Sequence, residues 1–402
     1  MSIILKNANV ITMTDDKIIF GTDILVEGNK IVNISPNLTQ DTPCVEVIDC
    51  SDKFIIPGLA DMHVHINLAS HEDMKLFIAN GITSVRNMNG SESVLEMKEK
   101  TKDSDFICPL IYTATTILDG HPPVFPFNAV AETTEEARQF ILDAKEDGYD
   151  FVKVYNNLKV PVYLEVLKTA KEVELDVIGH IPIAVSAEMA MENGQYGFEH
   201  IKALKRSQLE SAAKNGIYFT PTLVIQKLIK MIKEDQITEE MYCENIMQYV
   251  APDIAKRWKE TVAFYKVHDF RLDRTFEEYV ADAKTFLDYG GKLLAGTDTQ
   301  NPFIVFGFSL HDELELLSCS GIPNYEILKA ATINGAKSNH QEELWGSIEC
   351  GKIANLVILG SNPLDKISNT RDIHSVVLKG RYYDRRALDI FLAQVAEAYT
   401  TL

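Results

Sequence analysis

Two histidines one residue apart, His63 and His65, stand at the end of the apolar run FIIPGLADMHVHI. On a β-strand, residues i and i+2 project to the same side, so both imidazoles can share one metal ion. Alone, the spacing is a weak signal, since packed or surface histidines also fall into it. Four further groups change its weight. Lys153 lies within FVKVY, His180 ends DVIGH, His200 ends GFEH and Asp298 ends LLAGTD. Imidazole and carboxylate are the usual nitrogen and oxygen ligands of zinc and related divalent ions. A lysine inside an apolar run ordinarily packs its stem and finds a carboxylate. Among four histidines and an aspartate a neutral amine has a use. Nearby cations and desolvation both depress a lysine pKa, and a neutral amine adds carbon dioxide to give a carbamate. Its two oxygens suit a bridge between two metal ions, so two ions per chain are expected.

These groups must be positioned by a repeated unit. Between about 56 and 343 a helical pattern ends in glycine and a short apolar strand follows: MKLFIANG then ITSVRNM, ARQFILDAKEDG then YDFVKVY, ESAAKNG then IYFTPTLV, AKTFLDYGG then KLLAGTDT. Glycine suits the helix C-terminus, where φ turns positive. Strands alternating with helices imply parallel βαβ units. Eight candidate strands, 55–65, 82–88, 110–116, 151–155, 176–181, 198–201, 218–224 and 292–299, fit an α/β (β/α)8 barrel of the TIM type. Lys153, His180, His200 and Asp298 then lie at the C-terminal ends of strands four, five, six and eight, and the histidine pair at the end of strand one. That rim is where barrels place their chemistry. Residues 225–285 break the rhythm with a long, charged, helical stretch, which is read either as a lid or wall over the mouth or as a peripheral excursion.

Both ends of the chain are β-rich. IILKNANVITM and DILVEGNKIVNIS begin it; LWGSIECGKIANLVILG and IHSVVLKGRYYD close it. Short strands alone cannot bury an apolar face, so residues 1–55 and 344–402 are expected to combine into one small β-sandwich beside the 56–343 barrel. The 402 residues carry 39 basic and 58 acidic side chains, a net charge of −19. That balance argues against nucleic acid and against an anionic membrane as main partners, because both need a positive face. No run approaches a transmembrane span, and MSIILKNANV lacks the basic start of a signal peptide. Six scattered cysteines without a CxxC pair suit a reducing compartment. A cytoplasmic protein acting on a small molecule is expected, and a homo-oligomer is compatible with the helical insertion. No glycine-rich phosphate loop opens a helix.

The ordered set PGLADMHVH, FVKVY, VIGH, GFEH and AGTD resembles the amidohydrolase superfamily, most closely its metal-dependent prolidase, Xaa-dipeptidase and N-acyl-amino-acid hydrolase branch. The β-rich ends are similar to that family's small composite domain. The resemblance implies two divalent metal ions, zinc foremost. It implies that His63 and His65 hold the more buried ion, that Lys153 as a carbamate bridges both, that His180 and His200 hold the second, and that Asp298 touches the buried ion. It further implies hydrolysis of a peptide or N-acyl bond by a metal-bridging hydroxide, with Asp298 as general acid and base. The runner-up is a cyclic-amide hydrolase of the dihydropyrimidinase or imidazolonepropionase type, though Lys153 argues against the latter. Deaminase, lactonase and non-catalytic scaffold follow.

Other residues are secondary. His121, in LDGHPPVFP, and Tyr155, two residues beyond Lys153, are expected substrate contacts. Asp298 could alternatively cap a helix. Arg86 reads as a structural ion pair rather than a substrate clamp. His71, His268, His311, His340 and His374 read as structural or solvated, with His311 the strongest exception.

Overall fold

The structure, a computed structural model, describes residues 2–38, 45–103, 105–200, 203–267 and 274–400. It is an α/β protein with parallel sheets. Leu59–Val64, Ile82–Asn87 and Leu110–Thr113 form one of them. Phe151–Val154, Asp176–Gly179, Gly197–Glu199, Tyr218–Thr220 and Lys292–Leu293 run side by side in another. Isolated parallel bridges join Ala114 to Phe151 and Val64 to Thr299, at the two outer edges of the three-stranded sheet. Strands Leu59–Val64, Ile82–Asn87 and Phe151–Val154 are buried on both faces, polar side chains included.

The helix-to-strand turns follow the expected chemistry. Gly81, Gly148, Gly194 and Gly216 have φ between 73° and 88°, and at the last turn Gly290 rather than Gly291 takes that conformation. Thr133 and Thr275 start their helices with capping boxes to Glu136 and Glu278. The expected first strand, 55–65, is two strands. Phe54–Pro57 pairs away from the parallel sheets, and the chain breaks at Gly58, where a Cβ would meet Thr83 Oγ1 at 2.0 Å. The seventh ends sooner than expected, because Thr222 turns left-handed (φ 48°) and helix Leu223–Lys233 begins there. Leu118–Asp119 and Ala129–Val130, two short strands flanking the proline-rich loop, were not expected.

Strands from both chain ends meet in one sheet. Strand Leu356–Leu359 pairs antiparallel with Phe54–Pro57, which runs parallel to Ser2–Ile11. Eight strands drawn from both ends form one hydrogen-bonded sheet. Its face buries Ile3, Leu5, Ile24, Val26, Ile55, Leu356 and Ile358 in a core of its own. The last helix, Arg385–Thr400, departs from an all-β reading of this end. It packs on helix Met74–Ala79, with Leu388, Phe391 and Val395 in the main core. Among the described residues, no helix is long and apolar enough to cross a membrane.

Candidate metal centre

Asp298 sits at the centre of the site. Its Oδ1 is 3.1 Å from His65 Nε2 and 3.4 Å from His63 Nε2, and its Oδ2 is 3.9 Å from His200 Nδ1. His63, His200 and Asp298 each offer a ligand atom, all within 4.8 Å of one another. The His180 ring lies 4.9 Å from that of His200, centroid to centroid, and the Tyr155 ring lies 4.1 Å from His180. One cavity of about 560 Å³ is lined by His63, His65, Lys153, His180, His200 and Asp298 together, and by Tyr155. Its neighbour, about 510 Å³, shares Tyr155, His180, His200 and Asp298.

The local backbone is built for this convergence. His200 and Asp298 adopt φ of 69° and 63°, and Thr222, which touches His200, adopts 48°. Non-glycine residues rarely take such angles, and they gather where function over-determines the chain. Gly296 lets the Asp298 turn lie against the first strand: a Cβ there would meet Thr220 Cγ2 at 2.6 Å and His63 Cβ at 2.8 Å. Asp61 ties the same elements together. It accepts from the amides of His63 and Thr297 at 3.2 and 3.1 Å and from Thr297 Oγ1 at 2.7 Å.

Three imidazoles have their Nδ1 engaged by a neighbouring side chain. His63 Nδ1 is 2.6 Å from Glu199 Oε2, His180 Nδ1 is 2.7 Å from Asn156 Oδ1, and His200 Nδ1 is 2.8 Å from Thr222 Oγ1. The Thr222 hydroxyl donates to the Pro221 carbonyl, so its oxygen accepts from His200. Such partners orient metal-ligating histidines. His63 Nε2 is buried and makes no hydrogen bond of good geometry. An orphaned buried nitrogen facing imidazoles and a carboxylate fits a divalent cation.

Charge in the site is tuned by burial. Against burial, which pushes it up, His63, His65 and His200 hold the Asp298 carboxyl well below its usual range. Burial lowers Lys153 to about 8, with Arg86 adding to the fall and Glu199 and Asp298 opposing it. Lys153, only 1% exposed, is therefore neutralised far more readily near pH 7 than an ordinary lysine.

A model of the amidohydrolase family matches residues 54–382. The chain belongs to the amidohydrolase family. Enzymes of this family hydrolyse C–N bonds and generally use divalent metal ions. The chain is similar to a 5-methylthioadenosine/S-adenosylhomocysteine deaminase of Caldanaerobacter subterraneus subsp. tengcongensis, 25% identical over 90% of this chain and 85% of the relative. Among solved structures it is similar to bottromycin amidohydrolase, with a TM-score of 0.80 and 21% identity over 98% of this chain and 90% of that one. It is also similar to a Xaa-Pro dipeptidase solved with methionine in its active site, with a TM-score of 0.73 and 19% identity over 96% of this chain and all of that one.

In this amidohydrolase-family chain the six expected ligand residues and Tyr155 come together at one cavity. His121 does not join them. It is exposed and absent from the cavity wall, where Val124 and Phe125 of the same loop stand instead. Asp119 folds the loop back, accepting from the amides of Gly120, Val124 and Asn157. Arg86 is an interior ion pair with Glu199 at 2.7 Å. Asp298 caps no helix, since the next begins at Phe308. His311 is buried far from the site's contacts, bonded to Thr370 Oγ1 and the Asn80 carbonyl. His71 packs on Phe106, His340 pairs with Asp176 and His374 touches Ser375; His268 lies outside the described residues. Sequence reasoning missed Glu199, Asn156 and Thr222. The signal for Glu199 was a carboxylate inside the apolar strand GFEH.

The insertion walls the cavity. Ile225, Gln226, Ile229 and Phe264 line one lobe, Arg257 and Thr261 the other, and Tyr265 both. Trp258 Nε1 donates to the Gln300 carbonyl at 3.0 Å and Tyr265 hydroxyl meets Asn301 Oδ1 at 2.7 Å, tying the insertion to the turn that follows Asp298.

Proposed function

We propose that this protein is a binuclear metal-dependent hydrolase that cleaves the peptide or N-acyl amide bond of a small substrate such as a dipeptide or an N-acyl amino acid. The supporting observation is the meeting of four histidines, a buried lysine and an anionic aspartate on one cavity wall. His63, His65, His180, His200 and Asp298 would hold two divalent ions, with zinc the first choice, together with Lys153 as a carbamate. When bound, such ions polarise a carbonyl and make water acidic enough to attack at neutral pH. Lys153 Nζ, in its neutral form, adds to carbon dioxide and releases a proton, turning an amine into a carboxylate-like donor. Asp298 is an anion in the folded protein, the state that accepts a proton from the attacking water and returns it to the leaving amine. Tyr155, beside His180, would contact the substrate's carbonyl or carboxylate. Phe125, Ile229 and Tyr265 shield the site from water.

The same reading takes the two parallel sheets as one (β/α)8 barrel over 56–343, closed through the Val64–Thr299 and Ala114–Phe151 bridges. The sheet built from 1–55 and 344–402 would be its small sandwich domain.

Hydrolytic release of ammonia is the second reading, favoured by the similarity to the deaminase. The test is a screen of the zinc-, manganese- or cobalt-loaded protein against dipeptides, N-acyl amino acids, cyclic ureides and 5-methylthioadenosine. Amine release from linear amides supports the first reading. Ammonia release without it overturns that reading in favour of the second.

A further inference from the structure

Beneath the cavity, Arg86, Glu199 and His63 form a charged chain sealed from solvent, at 0%, 1% and 0% exposure. Arg86 Nη2 donates to Glu199 Oε1 at 2.7 Å and to Thr220 Oγ1 at 3.1 Å, and its Nε donates to the Met62 carbonyl at 2.9 Å. Thr220 Oγ1 in turn donates to Glu199 Oε1 at 3.2 Å. The other carboxylate oxygen lies 2.6 Å from His63 Nδ1. Barrel interiors are ordinarily filled by branched apolar side chains, and replacing a buried ion pair by such residues is commonly neutral or stabilising. An arginine and a glutamate there point to a purpose other than stability.

We infer that Glu199 is a positioning residue: clamped by Arg86 and Thr220, it keeps the proton of His63 on Nδ1 and turns a bare Nε2 toward the cavity for a divalent cation. An ionised carboxylate only accepts hydrogen bonds, and a neutral imidazole carries one N–H. With Nδ1 as the donor, Nε2 is left with its lone pair, and this is the atom that is buried without a hydrogen bond. Asn156 and Thr222 meet the Nδ1 atoms of His180 and His200 with neutral oxygens; the Glu199 carboxylate at His63 Nδ1 carries a full charge, which raises the strength of His63 as a ligand. The inference rests on reading His63 as a metal ligand.

Two measurements test it. In zinc-loaded wild-type protein labelled with 15N-histidine, the resonances lost in His63→Asn should show a protonated Nδ1 and a metal-coordinated Nε2. A protonated Nε2 would overturn the assignment, and this measurement needs no Glu199 variant to fold. In Glu199→Gln, one carbonyl oxygen cannot serve both Arg86 and His63. Titration with cobalt(II) chloride, followed by visible absorption, should then show one ion bound about 10- to 100-fold more weakly, with the other retained. A lower melting temperature with unchanged cobalt affinities would reduce Glu199 to a structural role and end the proposal. If His63→Asn itself leaves both cobalt affinities unchanged, the metal-ligand reading fails. If it weakens one and Glu199→Gln does not, only the present inference fails.

Discussion

At the scale of single residues, the roles proposed for Asp298 and Lys153 predict different losses. Asp298→Asn keeps an oxygen for a cation but cannot take a proton, so kcat should fall by roughly 10²- to 10⁴-fold in steady-state assays on whichever amide the screen identifies. Lys153→Met should reduce bound metal from two ions per chain to at most one, measured by elemental analysis after dialysis. An unchanged metal content would remove the carbamate from the mechanism. The metal-compatible residues were legible because each lies in or just past the C-terminal half of a run that reads as a strand, and strand ends converge. His121 was not, because a loop has no period to aim a side chain. Asp119, three backbone amides and the following prolines decide where that loop goes. Glu199 escaped notice for the opposite reason: on a strand it points away from its neighbour His200, and only the packing of separate strands places it against His63.

At the scale of elements, the insertion matters through two tethers. Trp258 is 3% exposed and packs near Phe303 while bonding Gln300. Trp258→Ala should cost roughly 3–5 kcal/mol of local stability, loosen the wall and raise KM more than it lowers kcat. Faster hydrogen exchange confined to helix Pro252–Val267 would mark the cause, and exchange unchanged there would refute it. Gly296→Ala tests the opposite face. The added methyl has no space between Thr220 and His63, so the turn bearing Asp298 must shift, and metal affinity should fall even where the protein remains folded. The parallel strands could be read from the repeated unit in which a helical pattern ends in glycine and a short, largely buried strand follows. Their ends could not, since Gly58 and Thr222 stop strands through sterics and a left-handed turn rather than through any change of hydrophobicity.

At the scale of the molecule, pH acts through buried neutral groups. Burial, with Arg371 adding to it, brings His311 from the ordinary 6.5 down to about 3. Between those values the unfolded chain binds a proton that the folded His311 refuses, so the contribution of His311 to stability falls as pH drops from about 6.5 toward 3 and is constant above. Urea denaturation across that range should show the loss, and His311→Gln should flatten it; an identical slope would place the acid sensitivity elsewhere. The partnership of the two chain ends was anticipated from their shared β pattern. The docking of helix Arg385–Thr400 on helix Met74–Ala79 was not, because an amphipathic helix does not announce which groove it fills.

The sheet that unites both ends sets a timetable for biosynthesis. Phe54–Pro57 leaves the ribosome early, yet its antiparallel neighbour Leu356–Leu359 follows roughly 300 residues later. Until then the nascent chain carries an open β edge and an uncovered apolar face. Co-translational quality control would meet that exposed surface for most of the time the chain is being made, and a ribosome stalled just short of the final strands would hold it open indefinitely.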